Sequence, residues 1–279
     1  MKIKANAKIN LTLDMVARRD DGYHILDSVM QSVSLADIIN IEKSDVICVE
    51  CGEGNIDGEN NIAYKAAERF FEHTSVSGGA HINIVKNIPL ASGMGGGSAD
   101  AAAVIVALNK LYDTRLTYQK LCEIALSVGA DVPFCINGGT ARVGGIGENI
   151  KQLYDLCDCG IVLIKQGQKL STADMYRQID QKPYNAPKTD DLINGIIQSD
   201  LKLISQNVSN AFLSVCDIDK IKEDISLTNP MAVSLSGSGP TVFALYQNLK
   251  SAKSAADSLA SMGYNPITAV PEKQGLIIE

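Results

Sequence analysis

A glycine-rich segment at residues 89–103 carries the strongest chemical signal in this sequence of 279 residues. It reads PLASGMGGGSADAAA, so four glycines between positions 93 and 97 stand directly before an alanine-rich stretch. Glycine permits positive φ, which lets consecutive N–H groups turn toward one point, and a helix that follows directs its positive end there. The segment therefore predicts a phosphate cradle that needs no lysine. A flexible turn capped by Ser98 is the alternative.

This loop matches neither of two common nucleotide-binding motifs. No Gly-Lys-Ser/Thr follows it, as a Walker A loop requires, and no glycine occupies the third spaced position of the dinucleotide fingerprint. A second glycine turn, SLSGSGPTVFAL at residues 234–245, interrupts a strand-like stretch at Gly237 and Gly239. That second signal is weak by itself, because a bulge or a hairpin explains it equally well.

Polar residues near the N-terminus form a second group of candidates. Residues 1–15 alternate between apolar and polar side chains, which predicts a half-buried β-strand. Lys8 and Asn10 lie two residues apart on its polar side, so their side chains project next to each other. A solvated strand face is the alternative for such a lysine.

Three further residues have both a chemical and an ordinary interpretation. Tyr23 and His24 follow a turn at Gly22, and such a pair usually serves packing. Asp131 lies between a helix-ending glycine and Pro133, where a turn residue is the ordinary interpretation.

The elements that must position these residues follow from hydrophobic periodicity. Strands are predicted at 34–50, 81–86, 160–164, 231–235 and 241–246, and helices at 61–73, 98–111, 117–128, 171–180, 189–198 and 249–262. Ser98 is the predicted N-cap of the second helix. Because the pattern restarts near residue 160, we expect two α+β halves, at 1–159 and 160–279.

Composition excludes several classes of protein. Hydrophobic residues make up 46% of the chain and charged residues 20%, which excludes a disordered chain or a coiled coil. The net charge of −7 and the absence of tryptophan disfavour a nucleic-acid partner. No apolar run is long enough to span a bilayer, and the N-terminal residues contain no signal-peptide core. We expect a cytoplasmic protein with no membrane partner.

The seven cysteines predict free thiols in a reducing compartment. Cys48-x-x-Cys51 and Cys157-x-Cys159 are the candidate zinc ligands. In a strand, residues three apart point to opposite faces, and the second pair lacks the usual spacing. We therefore expect no four-cysteine zinc site.

Five motifs in one order make the chain resemble a known family. They are AKINL at 7–11, DGYH at 21–24, PLASGMGGGSADAA at 89–102, GADVPF at 129–134 and LSGSGPTVFAL at 235–245. Together they resemble the diphosphocytidyl-methylerythritol kinase family of the GHMP kinase superfamily, which includes galactokinase, homoserine kinase, mevalonate kinase and phosphomevalonate kinase. The glycine loop alone would indicate only the superfamily. The resemblance covers nearly the whole chain.

The resemblance implies a fold and an activity. The N-terminal domain would resemble the second domain of ribosomal protein S5, and the C-terminal domain would be a ferredoxin-like α/β plait. The activity would be transfer of the ATP γ-phosphoryl group to the 2-hydroxyl of a diphosphocytidyl sugar alcohol, in the non-mevalonate (MEP) isoprenoid pathway.

The resemblance also implies roles for individual residues. Asp131 would be the catalytic base, and Lys8 would stand beside it to keep it ionised and to offset charge on the transferred group. The residues expected to bind ATP are Asn61, Ile62, Lys86, Pro89, Leu90, Ala91, Ser92, Gly93, Met94, Gly95, Gly96, Gly97 and Ser98.

The remaining assignments concern the second substrate and the metal. The residues expected to bind the diphosphocytidyl substrate are Asn10, Tyr23, His24, Thr172 and Tyr176. Mg²⁺ would accompany ATP, with Ser98 as one possible ligand, while Asp100 is better explained by the helix dipole. The oligomeric state is not indicated.

Two other functions remain open at this point. One is a GHMP kinase for a different small alcohol, which would not need Tyr23 and His24 to stack a cytosine. The other is a non-catalytic nucleotide-binding regulator, which would need neither Lys8 nor Asp131.

Overall fold

The structure is a computed structural model, and it describes residues 1–18, 24–52, 56–167, 171–181 and 188–279. Within these ranges the strands and helices follow in the order β1 Lys2–Arg18, β2 His24–Ser44, β3 Cys48–Glu50, α1 Ile62–Thr74, β4 Gly79–Val85, α2 Gly96–Leu111, α3 Tyr118–Val128, α4 Val132–Asn137, β5 Thr140–Gly145, β6 Asn149–Gln152, β7 Gly160–Lys165, α5 Thr172–Ile179, α6 Thr189–Ile197, α7 Leu201–Gln206, β8 Ser209–Asn210, α8 Asp219–Ser226, β9 Ala232–Leu235, β10 Thr241–Tyr246, α9 Leu249–Ser261, β11 Ile267–Ala269 and β12 Leu276–Ile278.

The first sheet is built around the long antiparallel pair β1 and β2. Its order is β12-β1-β2-β4-β3, with β5 also paired to β2, β6 paired to β5, and β8 paired to β1. Helices α1 to α4 contribute to one hydrophobic core with this sheet, in which Phe70, Val104 and Ile124 are fully buried. Most of this α+β layer comes from residues before 160, whereas β8 and β12 come from later in the chain.

The second sheet has four antiparallel strands in the order β11-β7-β10-β9. Along the chain, β7 is its first strand, β9 its second, β10 its third and β11 its fourth, so the spatial order is 4-1-3-2. Helices separate the first strand from the second and the third from the fourth. This is the arrangement of a ferredoxin-like α/β plait, and the predicted fold class is confirmed.

Both faces of β1 are buried, although its alternating pattern predicts one solvated face. Lys8, Asn10 and Thr12 on the polar side are at most 3% exposed. The polar side is covered because later parts of the chain pack on it: Asp14 Oδ2 accepts hydrogen bonds from the backbone of Lys188 at 2.9 Å and of Thr189 at 3.1 Å. The alternation therefore identifies the strand but not its burial.

Helix α2 begins two residues earlier than predicted, and Ser98 is not its N-cap. The helix starts at Gly96, and the N-cap is Gly95 with φ of 71°. Glycine enters this left-handed conformation without a Cβ penalty, so the chain turns into the helix without a side-chain cap. Asn61 and Thr117, in contrast, cap α1 and α3 through their side chains.

The predicted division after residue 159 stays a prediction. Strand β7 begins at Gly160 and opens the second sheet. Strands β8 and β12, however, come later in the chain and pair with β1 in the first sheet. None of the helices in the described ranges combines the length and the hydropathy that a membrane span requires.

Candidate active site

A cavity of about 1080 Å³ lies where both halves of the chain meet. This volume lies at the upper end of the usual range for small-molecule sites. The residues predicted from sequence that line it are Lys8, Asn10, His24, Asn61, Ile62, Lys86, Pro89, Leu90, Ala91, Ser92, Gly93, Gly95, Gly96, Gly97, Ser98, Asp131 and Tyr176.

Three predicted site residues are not among those that line the cavity. The side chain of Met94 is buried in the hydrophobic core, and its carbonyl accepts a hydrogen bond from the Lys8 N–H at 2.9 Å. Tyr23 lies outside the described residues. Thr172 is the first residue of α5, but its side chain lies outside what the structure describes.

The N-terminus of α2 opens onto the cavity. Its first residues, Gly96, Gly97 and Ser98, line the wall. The first N–H groups of a helix have no partner within the helix, and the helix dipole adds partial positive charge at this end. The loop and the 16-residue helix therefore have the geometry that suits a bound anion, and their predicted contact with phosphate stays a prediction.

The second glycine turn supports the first one. Ser236 Oγ donates to the carbonyl of Gly93 at 3.0 Å, and the N–H of Thr241 donates to the carbonyl of Ser92 at 3.2 Å. A Cβ on Gly93 would meet the carbonyl of Ser236 and lie 2.7 Å from that of Gly239. Gly93 is thus required where the two loops approach each other, and Gly237 and Ser238 of the second turn line the same cavity.

Lys8 and Asp131 form a charge pair that lines the cavity. The Lys8 Nζ atom lies 3.2 Å from Asp131 Oδ2 and donates to Asn10 Oδ1 at 2.8 Å. The Lys8 side chain is 4% exposed, whereas that of Asp131 is 35% exposed. The carboxylate is therefore accessible to a ligand while the ammonium is held behind it.

Asn10 orients this pair. Its Oδ1 atom also accepts from the N–H of Gly237 at 2.9 Å, and its Nδ2 atom donates to Ser28 Oγ at 2.9 Å. Both lone pairs of Oδ1 are thus used, which fixes the side chain of Lys8. Lys8 and Asn10 do share one strand face, as predicted. The two contacts of Lys8 within the described chain leave one N–H donor for a bound substrate.

Aromatic side chains form another part of the wall. The rings of His24 and Tyr176 are stacked with centroids 4.6 Å apart and planes at 11°, and Tyr176 meets Phe212 edge-on at 5.1 Å. Rings at this distance are in direct contact, so a planar ligand must stack on an outer face or separate them. Burial raises the pKa of Tyr176 to about 12, and the negative charge of Asp131 adds to this.

Asp180 holds the edge of this aromatic group. Its Oδ1 atom lies 2.7 Å from His24 Nε2, and its Oδ2 atom lies 3.2 Å from a guanidinium nitrogen of Arg18. Asp180, Phe212, Ser28 and Gly237 all line the cavity. Sequence reasoning did not find Asp180, Phe212 or Ser28, because no motif marks them.

A buried ion cluster joins three elements beside the glycine loop. Lys86 Nζ lies 2.5 Å from Asp37 Oδ2 and 2.6 Å from Asp100 Oδ2. Burial lowers the pKa of Lys86, but the two carboxylates outweigh this and raise it. Burial also raises the pKa of Asp100, against the opposing effect of Lys86. Asp100 is therefore an ion-pair partner, and the helix dipole alone does not explain it.

This cluster also anchors the chain that enters the loop. Asp37 Oδ1 accepts hydrogen bonds from the backbone of Asn87 at 2.6 Å and of Ile88 at 2.8 Å. Lys86 lines the cavity, yet its ammonium is engaged by two carboxylates. Its predicted contact with ATP stays a prediction.

Gly95→Ala is expected to lower kcat/KM for the phosphoryl transfer expected from the sequence, on the order of 10- to 100-fold. A Cβ at Gly95 would lie 3.0 Å from Cγ and 3.2 Å from Cε of Lys8, so it would displace that side chain. Gly52 is a matched control, because its φ is also 71° and its Cβ would meet open space. Steady-state kinetics and thermal melting of Gly95→Ala and Gly52→Ala are the measurement. Both variants should lose stability because of the positive φ, Gly95→Ala more because it also displaces Lys8, but only Gly95→Ala should lose activity. Equal activities in the two variants would contradict the contact with Lys8.

Comparison with known proteins gives the family. Residues 61–139 match the GHMP kinases N terminal domain, and residues 192–265 match the GHMP kinases C terminal domain. A relative from Clostridium beijerinckii is named 4-diphosphocytidyl-2-C-methyl-D-erythritol kinase. It is 42% identical over 267 residues, which cover 93% of this chain and 95% of the relative. The chain belongs to the 4-diphosphocytidyl-2-C-methyl-D-erythritol kinase family.

Solved structures agree with membership of this kinase family. A crystal structure of 4-(cytidine 5′-diphospho)-2C-methyl-D-erythritol kinase is 29% identical, with a TM-score of 0.80 over 97% of this chain and 99% of that one. A homoserine kinase from Cytophaga hutchinsonii gives a TM-score of 0.78 at 20% identity, over 100% of this chain and 97% of that one. The second likeness shows the shared fold alone.

Proposed function

We propose that the protein transfers the γ-phosphoryl group of ATP to the 2-hydroxyl of 4-diphosphocytidyl-2-C-methyl-D-erythritol. This reaction belongs to the non-mevalonate pathway to isoprenoids. The observation that carries the proposal is the Lys8–Asp131 pair, which lines the same cavity as the helix N-terminus and the aromatic group. Relatives of about 40% identity over 93% of the chain bear the name of this kinase.

Asp131 is the base in this reaction. Its carboxylate occupies the N-cap position of α4 but makes no side-chain cap hydrogen bond, so it is left to accept a proton from the substrate. The substrate oxygen then bonds to the γ-phosphorus while the bond from that phosphorus to the bridging oxygen of ADP breaks. The proton remains on Asp131 until ADP and product leave.

Positioning and charge stabilisation supply most of the catalysis in phosphoryl transfer. The N–H groups at the start of α2 bind the β- and γ-phosphates, and the free N–H of Lys8 donates to the transferred group. Asn10 acts by orienting Lys8. Because Lys8 is buried, its charge is weakly screened by solvent and acts strongly on the charge that develops there.

Mg²⁺ enters this reaction as part of the substrate MgATP. Ser98 offers a hydroxyl oxygen on the wall of the cavity, and oxygen ligands suit this ion. Asp100 also lines the cavity, but Lys86 holds its Oδ2 atom at 2.6 Å and neutralises its charge, which makes it the weaker candidate. We therefore assign Ser98, and not Asp100, to the metal.

The aromatic group binds the cytosine of the substrate. Tyr176 and His24 supply the ring faces, and the phenol of Tyr176 is neutral at physiological pH, as an ordinary tyrosine is. The sugar alcohol then extends toward Asp131, whose charge already affects Tyr176. In this arrangement, the cytosine binds at one end of the cavity and the phosphates of ATP bind at the other.

Tyr176→Ala is expected to raise the KM for the diphosphocytidyl substrate by roughly 5- to 150-fold, since stacking on a base is worth about 1–3 kcal/mol. The KM for ATP should change little. Tyr176→Phe keeps the ring and is the matched control. Kinetics with each substrate varied and melting temperatures distinguish stacking from packing. Equal increases in both KM values, with a lowered Tm, would mean that Tyr176 only supports the fold.

An ATP-coupled assay against four alcohols tests the function itself. We expect phosphorylation of 4-diphosphocytidyl-2-C-methyl-D-erythritol and negligible rates with homoserine, mevalonate and galactose. Turnover of one of the other three alcohols in place of the diphosphocytidyl compound would overturn the assignment within the superfamily. ATP binding without turnover of any alcohol would favour the non-catalytic regulator.

The partners of this activity are small molecules. The cavity offers anion-binding N–H groups and ring faces, and these suit a nucleotide and a cytidine. A cytoplasmic location and the absence of nucleic-acid and membrane partners stay predictions from composition and charge.

A further inference from the structure

A cluster of metal-ligating side chains lies across the edge of the first sheet. Strands β3 and β4 run parallel with Cys48 opposite His81, and β2 runs antiparallel to β4 with Glu42 opposite His81. Glu50 lies two residues after Cys48, so it projects from the same face of β3. Val49 between them is buried, so this row projects away from the core.

The ligand atoms are already close together. One atom each from Cys48, Glu50 and His81 lies within 4.8 Å of the other two. His81 Nε2 is 3.7 Å from Glu50 Oε2, and His81 Nδ1 is 3.5 Å from Glu42 Oε1. These separations exceed those of good hydrogen bonds, so the ring is not committed to either carboxylate.

We propose that Cys48, Glu50 and His81 bind a Zn²⁺ ion. A thiolate, an imidazole and a carboxylate are the ligand set that suits this metal, whereas Mg²⁺ and Ca²⁺ prefer oxygen alone. With Zn–S of about 2.3 Å and Zn–N of about 2.0 Å, tetrahedral ligand atoms lie roughly 3.5 Å apart. Rotation of these partly exposed side chains closes the remaining distance, and water takes the fourth position.

Glu42 orients the imidazole in this site. Metal-bound histidines commonly donate their other N–H to a carboxylate, which fixes the tautomer. Here Glu50 of the proposed ligand set lies on the Nε2 side of His81, and Glu42 lies on the Nδ1 side. Nε2 is thus the metal ligand and Nδ1 keeps its proton. The Cys48 thiol loses its proton to solvent when the Zn–S bond forms, so binding releases about one proton.

The bound metal joins a short edge strand of the sheet to its neighbour. Strand β3 has only three residues, and the chain leaving it reaches Cys51, whose N–H and Sγ donate to Asp57 Oδ1 at 2.7 Å and 3.0 Å. Cys51 is therefore not the partner that its spacing from Cys48 suggests. The ion cross-links two strands by side chains from each, and we expect it to raise the Tm by a few degrees.

Titration of the reduced full-length chain with Co²⁺, in the absence of ATP, tests the site. We expect one equivalent to give a thiolate-to-cobalt charge-transfer band that Zn²⁺ abolishes. Cys48→Ser should remove this band, whereas Cys122→Ser, another partly exposed cysteine, should retain it. A band that survives Cys48→Ser, or no band in the parent protein, would overturn the proposal.

Glu42→Ala tests the role of the outer carboxylate. Loss of such a partner typically lowers metal affinity by about 10- to 100-fold while the charge-transfer band keeps its shape. Metal-free melting temperatures equal to that of the parent show that each variant is folded. An unchanged affinity in Glu42→Ala would remove Glu42 from the site, and His81→Gln with unchanged affinity would remove the site itself.

Discussion

Asp131→Asn is expected to lower kcat by about 10²-fold or more, with little change in the affinity for ATP. The amide keeps the shape of the side chain but cannot take the proton of the attacking hydroxyl. Because the carboxylate is 35% exposed and makes no cap to α4, its loss should leave the fold intact. Steady-state kinetics, nucleotide binding and thermal melting on one preparation provide the measurement.

Asp113→Asn is the control for this substitution. Asp113 is also paired with a cation, Arg115, at 2.8 Å, but it lies at an exposed turn. Its variant should keep the activity of the parent. If Asp131→Asn stays within a factor of a few of the parent, Asp131 is not the base. If ATP binding fails instead, Asp131 holds the nucleotide or its metal.

The sequence predicts local structure well wherever one pattern decides it. The alternation of residues 1–15 identifies β1, and the glycines before an alanine-rich stretch identify the loop and α2. It does not reveal that the polar side of β1 is buried, because the covering residues come from α6 and the loops, more than a hundred positions later. Burial is decided by such distant contacts.

Some residues of the candidate site can likewise be predicted from the sequence, and others cannot. The glycine loop, Lys8 and Asp131 are visible in the sequence, and the resemblance adds their roles. The ion cluster of Asp37, Lys86 and Asp100 is not visible, since its carboxylates are far from each other in sequence and meet only through the sheet. The role of Gly93 in loop packing is equally hidden, because its neighbours Ser236 and Gly239 lie in another loop.

Lys8→Met should lower kcat by roughly 10²- to 10³-fold, the range found when one preorganised donor to a developing charge is removed. Methionine retains much of the length and apolar volume of the lysine, so packing against Gly95 is kept. The variant lacks the ammonium that lies 3.2 Å from Asp131 and that supplies a donor to the transferred phosphoryl group. The substitution also removes the buried hydrogen bond from Lys8 to Asn10, but Asn10 still accepts a hydrogen bond from the N–H of Gly237.

Lys165→Met provides the control for charge near the cavity. Lys165 donates to the carbonyl of Leu90 at 2.7 Å, at an exposed position beside the same loop. Removal of an exposed charge changes little, so its kcat should stay within about threefold of the parent. Lys8→Arg should not restore activity, because the larger planar guanidinium cannot replace a buried ammonium held between two oxygens.

The double variant Lys8→Met/Asp131→Asn decides whether the two residues act as one unit. They are in direct contact, so their effects on kcat should be far from multiplicative: the double variant should be little worse than the poorer single variant. Single-turnover measurements at saturating ATP and substrate isolate the phosphoryl-transfer step from binding. Fully multiplicative losses would mean that Lys8 and Asp131 act independently. In that case Lys8 would bind the nucleotide alone, and the pair would no longer support the proposed division of roles.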